Sequence, residues 1–533
     1  MKKKKGLLFL IIAFAFIVRI WQIGQIPTFI SDEASIGYNA YSILNTGRDE
    51  WGEFLPLSFK GFGEYKLPVY IYSVVPSVAI FGLSEFATRL PSVLAGLATI
   101  FLLYLLSSRL FSTKIGLLSA ALLAISPWHI AVSRMALEAN LALGLVLAGF
   151  WLLTFASKNK KALFASFFLL TLSFYTYNAC RVFVPLFLFA FFFTNRKTWG
   201  PVLKSGWLAV VMAAFLSLPI FLSGFQGSSQ RLAQVGIFSD PGILNQVIEK
   251  RLSCQEKSPV FFCRVLYNRP VAYSQSFVEN YFSHFSLNYL FFRGSGLAQY
   301  LPPGKGALYL IELPFILLGI FFLLKRKEAR SFFGLWVLIA PVANSLTGGA
   351  HPVRALVLLP VFPVLTALGI FWLGSKVKTK IIKRLILFLV GGVFLASFVS
   401  FLISYFIIYQ QAPGSTWQGG YKTLYSKLAK QENHFDKIMI TKFYGEPHIF
   451  YLFYSKFNPE SYQSSLGVVR YERDDHWINV DRIGQYYFLQ EILIEDKDIL
   501  YAIAPQELKG DFTTLDKIIW LNREPSFLIG KMQ

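Results

Sequence analysis

Acidic residues are scarce in this chain. Its 533 residues hold 30 Asp and Glu against 51 Lys and Arg, and charged residues of both signs make up only 15%, where a soluble domain averages roughly 25%. Cysteine is scarcer: Cys180, Cys254 and Cys263 are the full set. That excludes a dense disulfide scaffold, and their spacing is not that of metal ligands. No internal repeat or low-complexity segment is present. What remains is apolar: 54% hydrophobic and 17% aromatic residues, with a mean hydropathy of +0.49. A lipid bilayer is the solvent this composition suits. The net charge of +21 is not that of a nucleic-acid surface, because Lys and Arg fall in short tracts between apolar runs and not along one soluble face.

A spanning helix needs about 20 mostly apolar residues. Candidates lie near 7–26, 88–108, 114–130, 138–156, 162–179, 181–194, 203–222, 306–324, 332–347, 354–373 and 384–409, about eleven spans by that criterion. The first follows Lys2 to Lys5 as a signal peptide would. It is long enough to span, however, and no small-residue cleavage site precedes Pro27, so it reads as an uncleaved helix. With the lysine-rich N-terminus inside, eleven spans also place inside the tracts Arg109 to Lys114, Lys158 to Lys161, Arg196 to Lys204, Lys325 to Arg330 and Lys376 to Arg384, as the positive-inside rule requires. Counting the short apolar segment 68–83 as a span would put these tracts outside. It is therefore expected to be an interfacial helix.

The expected architecture is an α-helical polytopic membrane module, 1–409, with outer loops 27–87 and 223–305, followed by a soluble extracytoplasmic domain, 410–533. In that tail, 419–431 and 447–456 read as helices. Lys437 to Ile440, Ile499 to Ile503 and Lys517 to Leu521 read as strands, a small α/β pattern. The expected location is the plasma membrane, with the N-terminus cytoplasmic. In an outer loop, Cys254 and Cys263 either form a disulfide or stay as two thiols.

Chemistry-bearing residues collect at the outer ends of these spans. Asp32 and Glu33 follow the first span, and acids so close to hydrocarbon are costly. Each reads as an N-cap or solvated loop acid, or as a general base at the bilayer face. Glu64 and Lys66 precede the interfacial helix, where a lysine either snorkels or meets a lipid phosphate. His129 ends the third span. Arg134 and Glu138 stand four apart, a spacing that on a helix also makes a local ion pair. Tyr175 and Tyr177 fall between two spans, and His351 and Arg354 between two others.

Asp32-Glu33, Lys66-Leu67-Pro68-Val69-Tyr70, Arg89-Leu90-Pro91-Ser92, Ser126-Pro127-Trp128-His129 with Ser133-Arg134, and His351-Pro352-Val353-Arg354 together resemble the membrane glycosyltransferases of the GT-C class. The nearest resemblance is to bacterial relatives of the protein O-mannosyltransferases and of the aminoarabinose transferase that modifies lipid A. It covers roughly the first 410 residues. It implies that Asp32 is the catalytic residue and that the donor is a sugar on a polyprenyl phosphate. In some relatives an acid directly before the lysine helps bind a divalent metal. Here Tyr65 stands there and Glu64 one residue further back, so a metal cation, with Glu64 and Glu138 as candidate ligands, is the one cofactor left open.

The chemistry needs a carboxylate to take the acceptor's proton, positive charge on the departing phosphate, and an in-line geometry that inverts the anomeric centre. The assignment is Asp32 as base, with Lys66, Arg134 and Arg354 as donor-phosphate ligands. Glu33, Glu64, His129 and Glu138 are supporting groups, and Tyr175, Tyr177 and His351 line the donor pocket. Trp417 and Gln418, just past the last span, either face the active cavity or, for Trp417, anchor at the interface. Expected partners are the lipid-linked donor, the bilayer, and an acceptor that is a protein, a lipid or a glycan; no nucleic acid is expected. Two other readings stand beside this one. A transporter of lipid-linked sugars would place its polar residues near the bilayer midplane on broken, repeated helices. A non-catalytic membrane scaffold would not depend on Asp32.

Overall fold

The computed structural model describes residues 2–63, 65–224, 236–297, 299–326, 329–408, 418–473, 477–491, 499–508, 511–520 and 523–532. Each expected span is helical in whole or in part. Three helices have the length and composition to cross a membrane: Glu85–Leu110, Leu356–Lys376 and Lys380–Ile408. Two further candidates are helix pairs bent at a short break, Thr113–Ile125 with α6 (Pro127–Ser133) by 63° and Arg196–Ser205 with Trp207–Ile220 by 77°. Others are apolar but short, such as Glu138–Leu153, Cys180–Thr194 and Glu312–Leu324.

The structure thus gives three to five spans by length and composition among the described residues, not eleven. Particular residues account for the difference. The first helix, α1 (Lys2–Ile20), carries Lys2 to Lys5 and Arg19 within its 19 residues. The apolar segment near 332–347 is divided at Pro341, leaving Leu335–Ile339 and Val342–Ser345, because proline lacks the donor a continuous helix needs.

The chain packs as two compact units, and they do not divide at residue 409. One comprises 1–15, 96–132 and 139–398; the other comprises 16–95, 133–138 and 399–533. The first is helical. Its helices include α5 (Thr113–Ile125), α7 (Glu138–Leu153, from Ala139 on) and α8 (Lys160–Leu172). Its aromatic core packs Phe150 against Phe187 and Trp336 at 4.5 and 5.0 Å between centroids. Helices Pro241–Gln255 and Val260–Leu266 are joined by a disulfide between Cys254 and Cys263.

The second unit joins the first loop to the tail. Its sheet has seven strands: β3 (Lys437–Thr441), β4 (Val468–Glu472), β5 (Ile478–Ile483), β6 (Tyr486–Leu489), β7 (Ile499–Ile503), β8 (Phe512–Ile519) and β9 (Pro525–Met532), in the order β4-β5-β6-β3-β7-β9-β8. Central β3 runs parallel to β6 and β7, and the outer pairs are antiparallel. Met439, Ile499, Tyr501, Ile503 and Leu528 form a core on this sheet. Helices Tyr421–Gln431 and Pro447–Tyr454 also lie close to the ranges expected from sequence.

The first loop belongs to this unit because it packs on the tail. Helix α2 (Ser31–Thr46) meets Pro447–Tyr454 where Gly37 lies so near Phe453 and Thr88 that a Cβ there would fall 2.5 and 2.6 Å from them. Phe29 packs on Phe453 at 4.8 Å, and Gln463 Nε2 donates to Ser42 Oγ and Thr46 Oγ1. The segment 68–83 forms helix α3 (Pro68–Phe81), buried along Tyr70, Ile71, Val74 and Val78.

Candidate active site

Asp32 stands in the first turn of α2, where unpaired backbone N–H groups favour a carboxylate. Its side chain is 52% exposed, while the Lys66 ammonium that donates to its Oδ1 at 2.5 Å is 4% exposed. Lys66 is held by a short hairpin, β1 (Phe59–Lys60) antiparallel to β2 (Tyr65–Lys66). The hairpin turn uses Gly63 at φ +103°, and the Trp477 ring lies so close that an added Cβ would meet it at 2.7 Å. Burial alone would lower the Lys66 ammonium. The charges of Asp32 and Glu138, with the hydrogen bond to Asp32, outweigh it and hold the group above the usual lysine value. The fold thus brings Asp32, Lys66 and Glu138, all marked in the sequence, into one electrostatic cluster.

Glu33 points the other way. It is buried in a two-pronged ion pair with Arg89, Nε to Oε1 at 2.8 Å and Nη2 to Oε2 at 2.6 Å, both side chains 0% exposed. The same carboxylate accepts the Ala136 N–H at 2.7 Å and the Ile30 N–H at 3.4 Å. Arg89 also donates to the carbonyls of Ile23, Pro27 and Thr28. Arg89 opens the Arg-Leu-Pro-Ser motif, yet sequence reasoning gave it no role.

Arg134 is corrected by its surroundings. It is fully buried, and its two Nη groups donate to the carbonyls of Val18, Arg19, Trp21 and Ile26 at 2.7 to 2.9 Å. Its plane lies over Phe406 at 4.7 Å. Those donors are committed to backbone, so Arg134 fixes the turn after α1 and does not present itself to a phosphate.

Gln418 and Glu50 also join the site. Gln418 Oε1 accepts the Ser31 N–H at 2.7 Å while its Nε2 donates to the Tyr444 carbonyl at 3.0 Å. The tail therefore caps the helix that carries Asp32. Trp417 and Glu64 lie outside the described residues. Glu50 is buried, exchanging hydrogen bonds of 3.1 Å with Asn39, two turns along α2 from Asp32. Burial pushes its carboxyl up to about 7. No group of three or more His, Cys, Asp or Glu converges as a metal site among the described residues. Of the two candidate ligands, Glu138 is among the described residues.

The remaining candidates belong to the helical unit. His129 is fully buried. The Tyr175 hydroxyl donates to the Leu216 carbonyl at 2.6 Å. Tyr177 and Arg354 line one small cavity with Cys180 and Val353, and Arg354 Nη1 donates to the Thr347 carbonyl at 3.2 Å. The His351 ring packs on Tyr300 at 5.2 Å. Trp128 Nε1 donates to the Pro352 carbonyl at 2.6 Å, which ties two of the sequence motifs together.

Residues 66–222 match the family model described as dolichyl-phosphate-mannose-protein mannosyltransferase. No curated protein sequence matches the chain. Among solved structures, ArnT from Cupriavidus metallidurans bound to undecaprenyl phosphate is similar at a TM-score of 0.58 and 12% identity, over 99% of this chain and 98% of that one. The oligosaccharyltransferase AglB from Archaeoglobus fulgidus, in complex with an inhibitory peptide and a dolichol-phosphate, is similar at 0.50 and 13% identity, over 90% of this chain and 74% of that one. The chain therefore has the fold of the GT-C class membrane glycosyltransferases.

Proposed function

We propose that the chain is an inverting glycosyltransferase that moves a sugar from a polyprenyl-phosphate carrier to an acceptor hydroxyl on the outer face of the membrane. The observation that carries this reading is the Asp32–Lys66 pair: a half-exposed carboxylate joined to a buried ammonium at 2.5 Å, on a helix start that Glu33, Arg89 and Gln418 hold in place. ArnT, the first neighbour above, binds undecaprenyl phosphate, which supports a lipid-phosphate donor here.

In the reaction the acceptor oxygen attacks the anomeric carbon as the bond from that carbon to the phosphate oxygen breaks. The acceptor proton passes to an Asp32 carboxylate oxygen, and the electron pair leaves with the polyprenyl phosphate. Lys66 supplies positive charge as the phosphate departs, which also draws its ammonium away from Asp32 and leaves that carboxylate free to accept. Arg134 is not retained as a donor-phosphate ligand.

The outer-face assignment is supported by the lysine and arginine tracts described above. The Cys254–Cys263 disulfide supports it independently, since disulfides persist in oxidising compartments. The test is transfer by the purified chain from a radiolabelled polyprenyl-phosphate sugar. Asp32→Asn is expected to fold and to lose transfer by orders of magnitude. Near-normal turnover by that variant rejects the assignment. Carriage of the intact labelled lipid across vesicles without release of polyprenyl phosphate favours a transporter.

A further inference from the structure

The helical unit holds a second cationic cavity, formed where α4 (Glu85–Leu110) ends and where α7 gives way to α8. Its volume is about 320 Å³, within the lower range of small-molecule sites. Its polar lining includes Arg109, Ser157, Lys158 and Asn159, and its apolar wall includes Trp151 and Phe155. The two aromatic rings meet edge-on at 5.4 Å. The Arg109 guanidinium lies over Phe155 at 4.8 Å, which fixes its plane at the rim. Asn159 caps α8 by accepting from the Lys161 and Ala162 N–H groups.

The charge around this cavity is one-sided. The sequence contains no Asp or Glu between Glu85 and Glu138, or between Glu138 and Asp240. Among the described residues, none of the ion pairs includes Arg109 or Lys158. The cavity thus offers two uncompensated cations above an aromatic wall at the ends of apolar helices. A phosphate group between Arg109 and Lys158 would complete the charge, with Ser157 as a further donor. The aromatic wall would take the glycerol and upper acyl carbons of a lipid, which a free phosphate lacks.

We propose that this cavity binds the phosphate headgroup of an anionic membrane lipid. It is built entirely from the helical unit and shares no residue with the Asp32 cluster. The acidic headgroup adds attraction at a membrane surface where each Lys or Arg contributes, and the arginine can grip phosphate oxygens in two-pronged fashion while lysine acts as a point charge.

The experiment uses the full chain in detergent micelles loaded with phosphatidylglycerol or phosphatidylcholine, read by native mass spectrometry. The wild-type chain is expected to retain phosphatidylglycerol at least tenfold better than phosphatidylcholine, and the R109Q/K158Q variant to lose that preference. Arg109 and Lys158 are exposed, so the variant is expected to keep the wild-type unfolding temperature. K376Q/K378Q, which removes two charges from another tract, is expected to retain the preference. Equal retention of the two lipids by wild type, or equal loss in the two variants, overturns the proposal. Binding of glycerol 3-phosphate by lipid-free protein, dependent on Arg109 and Lys158, assigns the cavity to a soluble phosphate and overturns the lipid assignment.

Discussion

Replacing Arg89 by Gln isolates the scaffold from the chemistry. Arg89 and Glu33 are both fully buried and bonded at 2.6 and 2.8 Å, so the variant leaves the Glu33 carboxylate in a low-dielectric interior without its counter-charge. Breaking one partner of such a pair costs about 3–5 kcal/mol. The lost donors to the Ile23, Pro27 and Thr28 carbonyls add to that cost at about 1 kcal/mol or more each where no water replaces them. Glu33→Gln should cost less, because the amide oxygen can still accept from the Ala136 N–H. In E33Q/R89Q the uncompensated charge is gone, so the double variant should be more stable than the sum of the singles predicts, by about 1–3 kcal/mol of coupling. Thermal unfolding of the four proteins in one detergent measures the cycle. Additive losses, or an R89Q protein that unfolds with the wild type, refute the reasoning that this pair holds the start of α2.

Gly37→Ala places a Cβ 2.5 Å from the Phe453 ring and 2.6 Å from Thr88 Oγ1; a loss of about 1–3 kcal/mol is expected from overpacking, read by thermal unfolding. Glu50, with its carboxyl raised to about 7, binds its proton more tightly when folded. Stability should therefore fall as pH rises from the unfolded value near 4.5 through 7, and E50Q should flatten that fall in unfolding temperatures measured from pH 5 to 8. Gln418→Ala removes the acceptor for the Ser31 N–H and should cost about 0.5–2 kcal/mol, as loss of a helix cap does, with a matching drop in kcat for sugar transfer. Alkylation of the unfolded chain without reductant should leave Cys254 and Cys263 unmodified and label Cys180; mass spectrometry with and without reductant checks this.

Fold class was legible because hydrophobic runs report the bilayer directly, and because the β-branched segments at Lys437 to Ile440 and Ile499 to Ile503 become the buried centre of the sheet. In the seven-stranded sheet the strands that went unread are β4, β5, β6 and β9. In β4 most side chains are exposed or half-exposed, so no apolar alternation marks it. In β6 only four residues pair, too few to show a period. The count of eleven spans is not reproduced by helix length and composition, for a different reason. An apolar run reports transfer into lipid, not helix continuity, and Pro341 or the bend between Ile125 and Pro127 interrupts helices that hydropathy treats as unbroken.

At the site, Asp32 and Lys66 were legible because isolated charges beside apolar runs need an explanation. Arg134 misled because a buried guanidinium needs acceptors, and sequence does not tell a phosphate from a row of carbonyls more than a hundred residues away. The structure shows which it is. Arg134 takes the carbonyls of Val18, Arg19, Trp21 and Ile26, and Arg89 takes those of Ile23, Pro27 and Thr28. Helix ends leave such carbonyls unsatisfied, and a cation near a helix C-terminus is favourable. Two arginines from distant motifs thus fix the segment between α1 and α2, and Gln418 from the tail closes its end. Within this frame the Asp32 side chain stays 52% exposed. That division separates two kinds of loss: substitutions at Arg89 and Arg134 act on folding, whereas a substitution at Asp32 removes the half-exposed carboxylate paired with Lys66 and acts on transfer.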